Sequence, residues 1–483
     1  MKRFFVQFAF AALVLASAAS ATAATEVAMT GDARVHGTWW SKTYFTGWNA
    51  AGTRTADPFT IWQRFRLRSD FIANEALKFR FGVRVNNTPW GFGTYTVDNP
   101  AVSIDVYQAY LQFYWPGTRI EFTIGQQDIN LPISGDILSA NPVLGGIRGP
   151  GAVVSIPVVD DAFSVIAGFY RFIDANRDFD PTTTQVPDEF DGYMLALPVT
   201  LEGFSATPWA MLGVAGRNGN YAAVGTGGAG ANQTLASNLF SAGSVLPPAG
   251  QRDAQTVYWW VGGSFSVSAL DPFKFYADVI YGEGGASDRA KNRRGGLFLD
   301  VAAEYTGFEM LTPKLAFWYA TGEDGSTRNG SERMPVVTSA WGAGNSFLFD
   351  STQEFSRGFI GVDYLGAWGF IASLDQISFV ENLTSRVTFT FAKGLNSPQA
   401  LRAGVALWGY GNYFQMGREL ATTESVMAVN FDSQYNVYKN LALILETGWA
   451  HGEFDGSIWG RRLVNASRGG DTWKASLGFR YKF

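Results

Sequence analysis

The chain contains no cysteine, which excludes disulfides, thiolate nucleophiles and thiolate metal sites. Its 2 histidines in 483 residues leave almost no material for imidazole catalysis or imidazole metal centres. Long apolar runs are missing as well. Past the first residues there is no stretch long enough, at about 18 apolar residues, to read as a spanning helix. Charged residues make up only 16%, and the formal net charge is −5. That slightly acidic balance, with a pI near 5.3, argues against general nucleic-acid binding.

What is present is apolar but dispersed. The chain is 47% hydrophobic, yet its mean hydropathy is −0.01. Aromatics reach 15%, with 16 Trp, and there are 55 Gly. This is the composition of aromatic girdles and tight strand turns. The first residues read as an address rather than as structure. Met1-Lys2-Arg3 is cationic, Phe4 through Ala16 is apolar, and Ala21-Thr22-Ala23 is a small-residue cleavage site. Residues 1–23 are therefore expected to be a secretory signal peptide, with one folded domain over 24–483.

At the other end, Trp473, Ala475, Leu477, Phe479, Tyr481 and Phe483 alternate with Lys474, Ser476, Gly478, Arg480 and Lys482. Period-two alternation of this length is a strand with one oily and one wet face. Similar alternation recurs along the chain, joined by two kinds of connection. Short ones are expected near Glu75, Pro116-Gly117, Asp160, Glu202, Leu270, Glu309, Gln376 and Lys439. Long ones, rich in Gly, Asn, Asp, Ser and Pro, fall near 43–58, 88–102, 128–150, 174–187, 218–254, 285–293, 324–355, 395–423 and 453–471. Short turns at one rim and long loops at the other mark an all-β transmembrane antiparallel barrel. The tally gives 18 strands from these connections, or 16 if the strand near 356–372 and its turn near Gln376 belong to a loop. Strand character begins at once, over Glu26 to Trp40, with no plug domain ahead of it.

The segment from Ile61 to Val85 says what lies inside. Arg64, Arg66, Arg68, Lys78, Arg80 and Arg84 share one face, while Phe65, Leu67, Phe71, Phe79, Phe81 and Val83 share the other. A hairpin centred near Glu75 sets Arg66 about opposite Arg84, and Asp70 about opposite Arg80. A lipid-facing Arg or Lys at the bilayer midplane costs about 2–4 kcal/mol. Six would exceed the whole stability of an ordinary domain, so they must face the lumen. A dry lumen would not accept them either, since buried unpaired charge is costlier still. Other strands repeat the alternation: Phe273 to Tyr281, Leu383 to Phe391 and Met427 to Tyr435. The inner wall is expected to be polar nearly all round.

With this basic ladder, the strand Val106 to Phe113, the turn Pro116-Gly117 and the closing Tyr481-Lys482-Phe483, the chain resembles a trimeric general porin of the outer membrane. Its texture, including Trp368-Gly369 and Phe391 to Asn396, is most similar to the homotrimeric porins of sulfate-reducing bacteria. The resemblance implies a homotrimer in the lipid of a Gram-negative outer membrane. It also implies that Phe479, Tyr481 and Phe483 form the C-terminal signal read by the barrel-assembly machinery. The third long loop would fold inward, its Asp128 and Asp136 facing the basic wall. The expected function is passive diffusion of small hydrophilic solutes and ions, with no catalysis and no cofactor. The alternative is a channel selective for sugars or small organic or inorganic anions, and a third reading is a plugged structural protein.

Weaker signals were weighed against plain structure. Glu323-Asp324-Gly325, with Asp350 or a neighbouring subunit, could hold a structural Ca²⁺, although surface loops are often acidic for solubility alone. His36 should point inward beside Asp32 and Arg34, and His451 should lie near an outer rim. Nothing around either suggests a Ser-His hydrolase. Trp260, Trp318 and Trp449 could form a sugar-stacking track, but girdle or core packing explains them better.

Overall fold

The computed structural model describes residues 25–483 apart from 43–44, 48–58, 92, 136–139, 175–186, 224, 226–233, 242–252, 286–289, 327, 339–354, 356–364, 410–413 and 468–470. The expected signal peptide lies outside the described residues. Among the described residues no helix is long and apolar enough to cross a membrane.

Strands account for nearly all of the order. The chain runs through β1 (Glu26–Ser41), β2 (Phe59–Asn74), β3 (Leu77–Pro89), β4 (Asp105–Tyr114), β5 (Glu121–Ile129) and β6 (Ile147–Val159). It continues with β7 (Phe163–Ile173), β8 (Phe190–Ala196), β9 (Val199–Leu201), β10 (Phe204–Gly216), β11 (Gln255–Leu270), β12 (Phe273–Gly284) and β13 (Arg294–Tyr305). Then come β14 (Thr312–Ala320), β15 (Ala367–Val380), β16 (Leu383–Gly394), β17 (Ser425–Tyr438), β18 (Leu441–Glu453) and β19 (Thr472–Lys482). β8 and β9 both pair with β10 and with β7, and only Leu197-Pro198 separates them. Proline has no N–H for the ladder, so one crossing is broken in two there. The 19 segments thus make 18 crossings, as the alternation predicts.

Each strand pairs antiparallel with its neighbours, and β1 pairs with both β2 and β19. Gly31 and Phe483 exchange backbone hydrogen bonds of 2.9 and 3.1 Å at the seam. Gly31 is glycine for want of room: a Cβ there would lie 2.4 Å from the Arg66 carbonyl and 2.5 Å from the Phe483 ring. The ring has no edge, so no backbone group is left to seek a partner in lipid. Outward positions carry Phe65, Phe71, Phe79, Leu111, Ile124, Leu212, Val261, Phe275, Val301, Phe317, Val429, Leu477 and Phe479, all exposed. An oily belt around a closed strand cylinder makes this an integral outer-membrane protein.

Two expectations need correction. Gln376 is not a turn. It sits inside β15 at φ 56°, where the register with β16 slips between Leu374 and Ile377. This is a bulge, and the polar Asp375-Gln376 pair mimics a turn because one residue there takes a turn conformation. The true reversal follows Val380, with Asn382 at φ 63°. Of the strand expected near 356–372, β15 is seen from Ala367 on, and 356–364 lie outside the described residues.

The inner wall is also not polar nearly all round. Met194, Met211, Tyr258, Trp260, Phe298, Trp318 and Ile371 point inward and are buried. They form one apolar core with Val143, Leu144, Val336, Val337 and the short helix α1 (Leu235–Leu239). Loops therefore fold into the barrel and dry out the inner face of β8 to β15. A second, smaller core joins α2 (Pro398–Trp408), α3 (Gly456–Trp459) and α4 (Arg461–Ser467) on the loop side.

The outward belt sets a test of parity. Phe65→Arg should lower the unfolding free energy by about 2–4 kcal/mol in a urea titration from bilayers. Gln63→Leu, on the same face, should not destabilise.

Candidate permeation pathway

Opposite this packing lies the basic wall, where Arg34 is buried and the Arg64 and Arg66 side chains are 13% and 34% exposed. The β2–β3 register sets Arg66 opposite Arg84 and Asp70 opposite Arg80, as the hairpin argument predicts. Arg80 Nε donates to Asp70 at 2.6 Å, and its Nη1 donates to the Tyr110 hydroxyl at 2.9 Å. Asp32 on β1 accepts from Arg64 Nη2 at 2.7 Å and from Arg66 Nε at 2.5 Å. Arg68 donates to Thr30 at 3.1 Å. Arg84 stands 5.7 Å from the centroid of the Tyr107 ring, with Asp105 at 3.9 Å. Lys78 faces the same side, next to Ile72 in register.

Strand closure extends the cationic face beyond the residues singled out from the sequence. Arg34 is the register partner of both Arg64 and Arg480, and Asp32 of both Arg66 and Lys482. The basic face therefore spans β19, β1, β2 and β3, with Asp32 and Asp70 as its carboxylates. Arg480 and Lys482 were legible as inward residues but not as members of this face. Only the seam brings them to Arg34.

Halfway round the barrel the balance reverses. Asp278 on β12 and Asp300 on β13 are register partners, both buried. Below them Glu304 meets Lys274 at 3.4 Å and Lys314 at 3.3 Å. Arg386 lies between Asp375 at 3.9 Å and Asp432 at 3.5 Å. Glu446 is the register partner of Asp432. Acids predominate on this wall, interleaved with bases.

The third loop, in its described residues 130–135 and 140–146, reaches across the bore to the far wall. The Ser134 N–H and hydroxyl both donate to Asp278 Oδ2, at 3.1 and 2.5 Å. Val143, fully buried, gives its carbonyl to the N–H groups of Val337 and Thr338. The acids do not sit as the resemblance implies. Asp128 is on β5, not on the loop, and is held by Arg148 at 2.5 Å and Gln108 at 2.9 Å. Its cross-strand partner Arg148 stands 5.1 Å from the Tyr107 ring centroid, so this ion pair is part of the wall. Asp136 lies outside the described residues.

The weaker candidates resolve into packing. Trp260 and Trp318 are fully buried, and Trp260 Nε1 donates to the Pro335 carbonyl at 2.7 Å. Trp449 is in the outer belt beside Trp473, ring centroids 6.5 Å apart. His36 faces inward with its ring edge-on to Phe355 at 4.4 Å. His451 meets Asp471 at 3.0 Å at the loop end of β18. Glu323 is buried and accepts from Ser331 at 2.5 Å, while Asp324 caps its own loop through Ser326 and Asn329. Burial pushes the Glu323 carboxyl up, against the pull of Arg333 and Ser331. Asp350 lies outside the described residues, and among those described no three His, Cys, Asp or Glu converge as metal ligands.

The sequence matches no protein-family model and no curated protein. The fold does have solved counterparts. Pseudomonas aeruginosa OccD3 (OpdP) superposes with a TM-score of 0.52 at 11% identity, over 96% of this chain and 93% of that one. OccK11 (OpdR) and OpdL, from the same organism, give 0.51 at 10% identity over 95% of this chain and 96% and 99% of theirs. These are outer-membrane porins of the OprD/Occ group. At such identity the likeness establishes the fold, an 18-strand barrel. It lends no weight to the resemblance to sulfate-reducer porins or to a trimer.

The Asp32 contacts generate a prediction. Asp32→Asn strips the carboxylate that neutralises Arg64 and Arg66, and should cost about 1–3 kcal/mol of stability. In planar bilayers the reversal potential of this variant should move toward anions.

Proposed function

We propose that the chain forms a narrow outer-membrane channel through which small anionic solutes, carboxylates or sulfate among them, cross by passive diffusion. The supporting observation is the unequal filling of the bore. The apolar core is densest against β8 to β15, whereas the wall of β1 to β3 keeps partly exposed guanidiniums, Arg66 at 34% and Arg84 at 26%, along which the proposed water path runs. Guanidinium groups spaced along one wall offer a moving anion successive partners without a deep well. A path confined to one side of the cylinder is tight enough to discriminate between solutes. This favours a selective channel over a wide general porin. The residues before Ala24 would be removed on export, and Phe479, Tyr481 and Phe483 would guide insertion. In this reading the protein transports and does not catalyse, as expected of a channel fold.

Planar-bilayer recording of the purified protein tests the proposal. In a salt gradient the reversal potential should favour anions, and a small dicarboxylate should block the current saturably. Arg66→Glu with Arg84→Glu should reverse the preference toward cations. Flux that depends on solute size alone would favour a general diffusion porin instead. A conductance near zero would leave a plugged structural protein.

A further inference from the structure

We infer that Ser134 and Gly135 of the β5–β6 loop cover the wall carboxylate Asp278 and its register partner Asp300, and that this docking on β12 keeps the pair out of the permeation path. The inference rests on the channel reading above and adds what sets its selectivity. Four observations carry it. Asp278 and Asp300 are side by side in register on adjacent strands, facing into the barrel, and are 2% and 1% exposed. Among the described residues no Lys or Arg lies within 4.0 Å of either. Besides Asp300 itself, what meets Asp278 comes from the loop: both the N–H and the hydroxyl of Ser134 converge on a single oxygen. The loop backbone then lies flat on the wall at Gly135, where a Cβ would stand 2.8 Å from the Tyr276 ring.

Without the loop, two further carboxylates would join Glu304, Asp375 and Asp432 in facing the bore, about halfway round from the arginines. With it, Asp278 is capped by neutral donors, Asp300 packs beside it, and both are removed from water. The contact is also well braced. Asn141 ties the loop to itself, donating to the Pro132 carbonyl at 2.8 Å and accepting from the Val143 N–H at 2.9 Å. Val143 is pinned in turn by the chain at Val337 and Thr338. Ser134 and Asp278 are thus positioning residues: they act on passing ions through the loop they hold.

Two variants test this in bilayers, each compared with the parent channel. Asp278→Asn with Asp300→Asn keeps an acceptor oxygen for Ser134 and removes the acidic pair. If the pair is covered, the reversal potential should equal the parent's. A shift toward anions would mean that the carboxylates face the path, and would overturn the inference. Ser134→Pro removes both donors. It should raise single-channel conductance and move the reversal potential toward cations, and adding the two Asn substitutions should abolish that shift while the higher conductance remains. Parental conductance and selectivity in Ser134→Pro would equally overturn it. Should Ser134→Pro fail to fold, the Asn pair decides alone. Failure of the parent protein to conduct would end the channel reading itself, before any variant is compared.

Discussion

Inside a bilayer a backbone N–H or carbonyl without a partner costs several kcal/mol, and water is not there to supply one. A strand satisfies only half of its groups with each neighbour, so the ladder must either run on or return to its start. In this chain it returns, where β1 meets β19 over Asp32 to Ser41. That closure converts a local alternation into an inside and an outside. It also fixes what meets across the seam, because a one-residue slip would turn every arginine of β1 and β2 toward lipid. The basic face is therefore a consequence of barrel closure as much as of composition.

How much of this was legible follows from the distance over which each feature is encoded. Strand parity is local, and Phe65, Arg66, Leu67 and Arg68 carry it without help. The β2–β3 register was legible to the residue because a tight turn fixes it, hence Arg66 against Arg84 and Asp70 against Arg80. The turn near Gln376 misled for a local reason too, since a bulge and a turn use the same backbone conformation. The partners of Asp32 were beyond reach, because a long loop separates β1 from β2 and leaves their register free. The Ser134–Asp278 contact spans 144 residues and has no sequence signature at all. Alternation told which residues face inward. It could not tell that loops bury Trp260 and Trp318 while Arg66 and Arg84 keep part of their side chains exposed.

Filling half of a barrel with loops is entropically costly, at about 1–2 kcal/mol for each backbone residue held in place. Burial of Val143, Leu144, Val336 and Val337 against Trp260 and Trp318 offsets part of it. Arg294 supplies a second part. This fully buried guanidinium donates to the carbonyls of Ser237 at 2.7 Å, Phe240 and Arg333 at 3.2 Å, and Met334 at 3.3 Å. One side chain of the barrel wall thereby satisfies loop carbonyls from two separate segments that could not all pair among themselves. Charge-assisted bonds of this kind are about twice as strong as neutral ones. A rigid filling is the result.

Rigidity and filling together change the worth of the partly exposed arginines. In a wide bore full of salt water, a solute near the axis would be screened from the wall once it lay farther off than the Debye length, about 8 Å at physiological ionic strength. Displacing the axis toward the basic side brings any passing ion within that distance. The apolar filling opposite replaces mobile, polarisable water by material of low dielectric, which strengthens the same charges. Tyr107 and Tyr110 hold Arg84, Arg148 and Arg80 against the wall, so the field has a fixed direction. In the proposed channel, selectivity is then a joint property of what lines one side and what fills the other, and neither half would produce it alone.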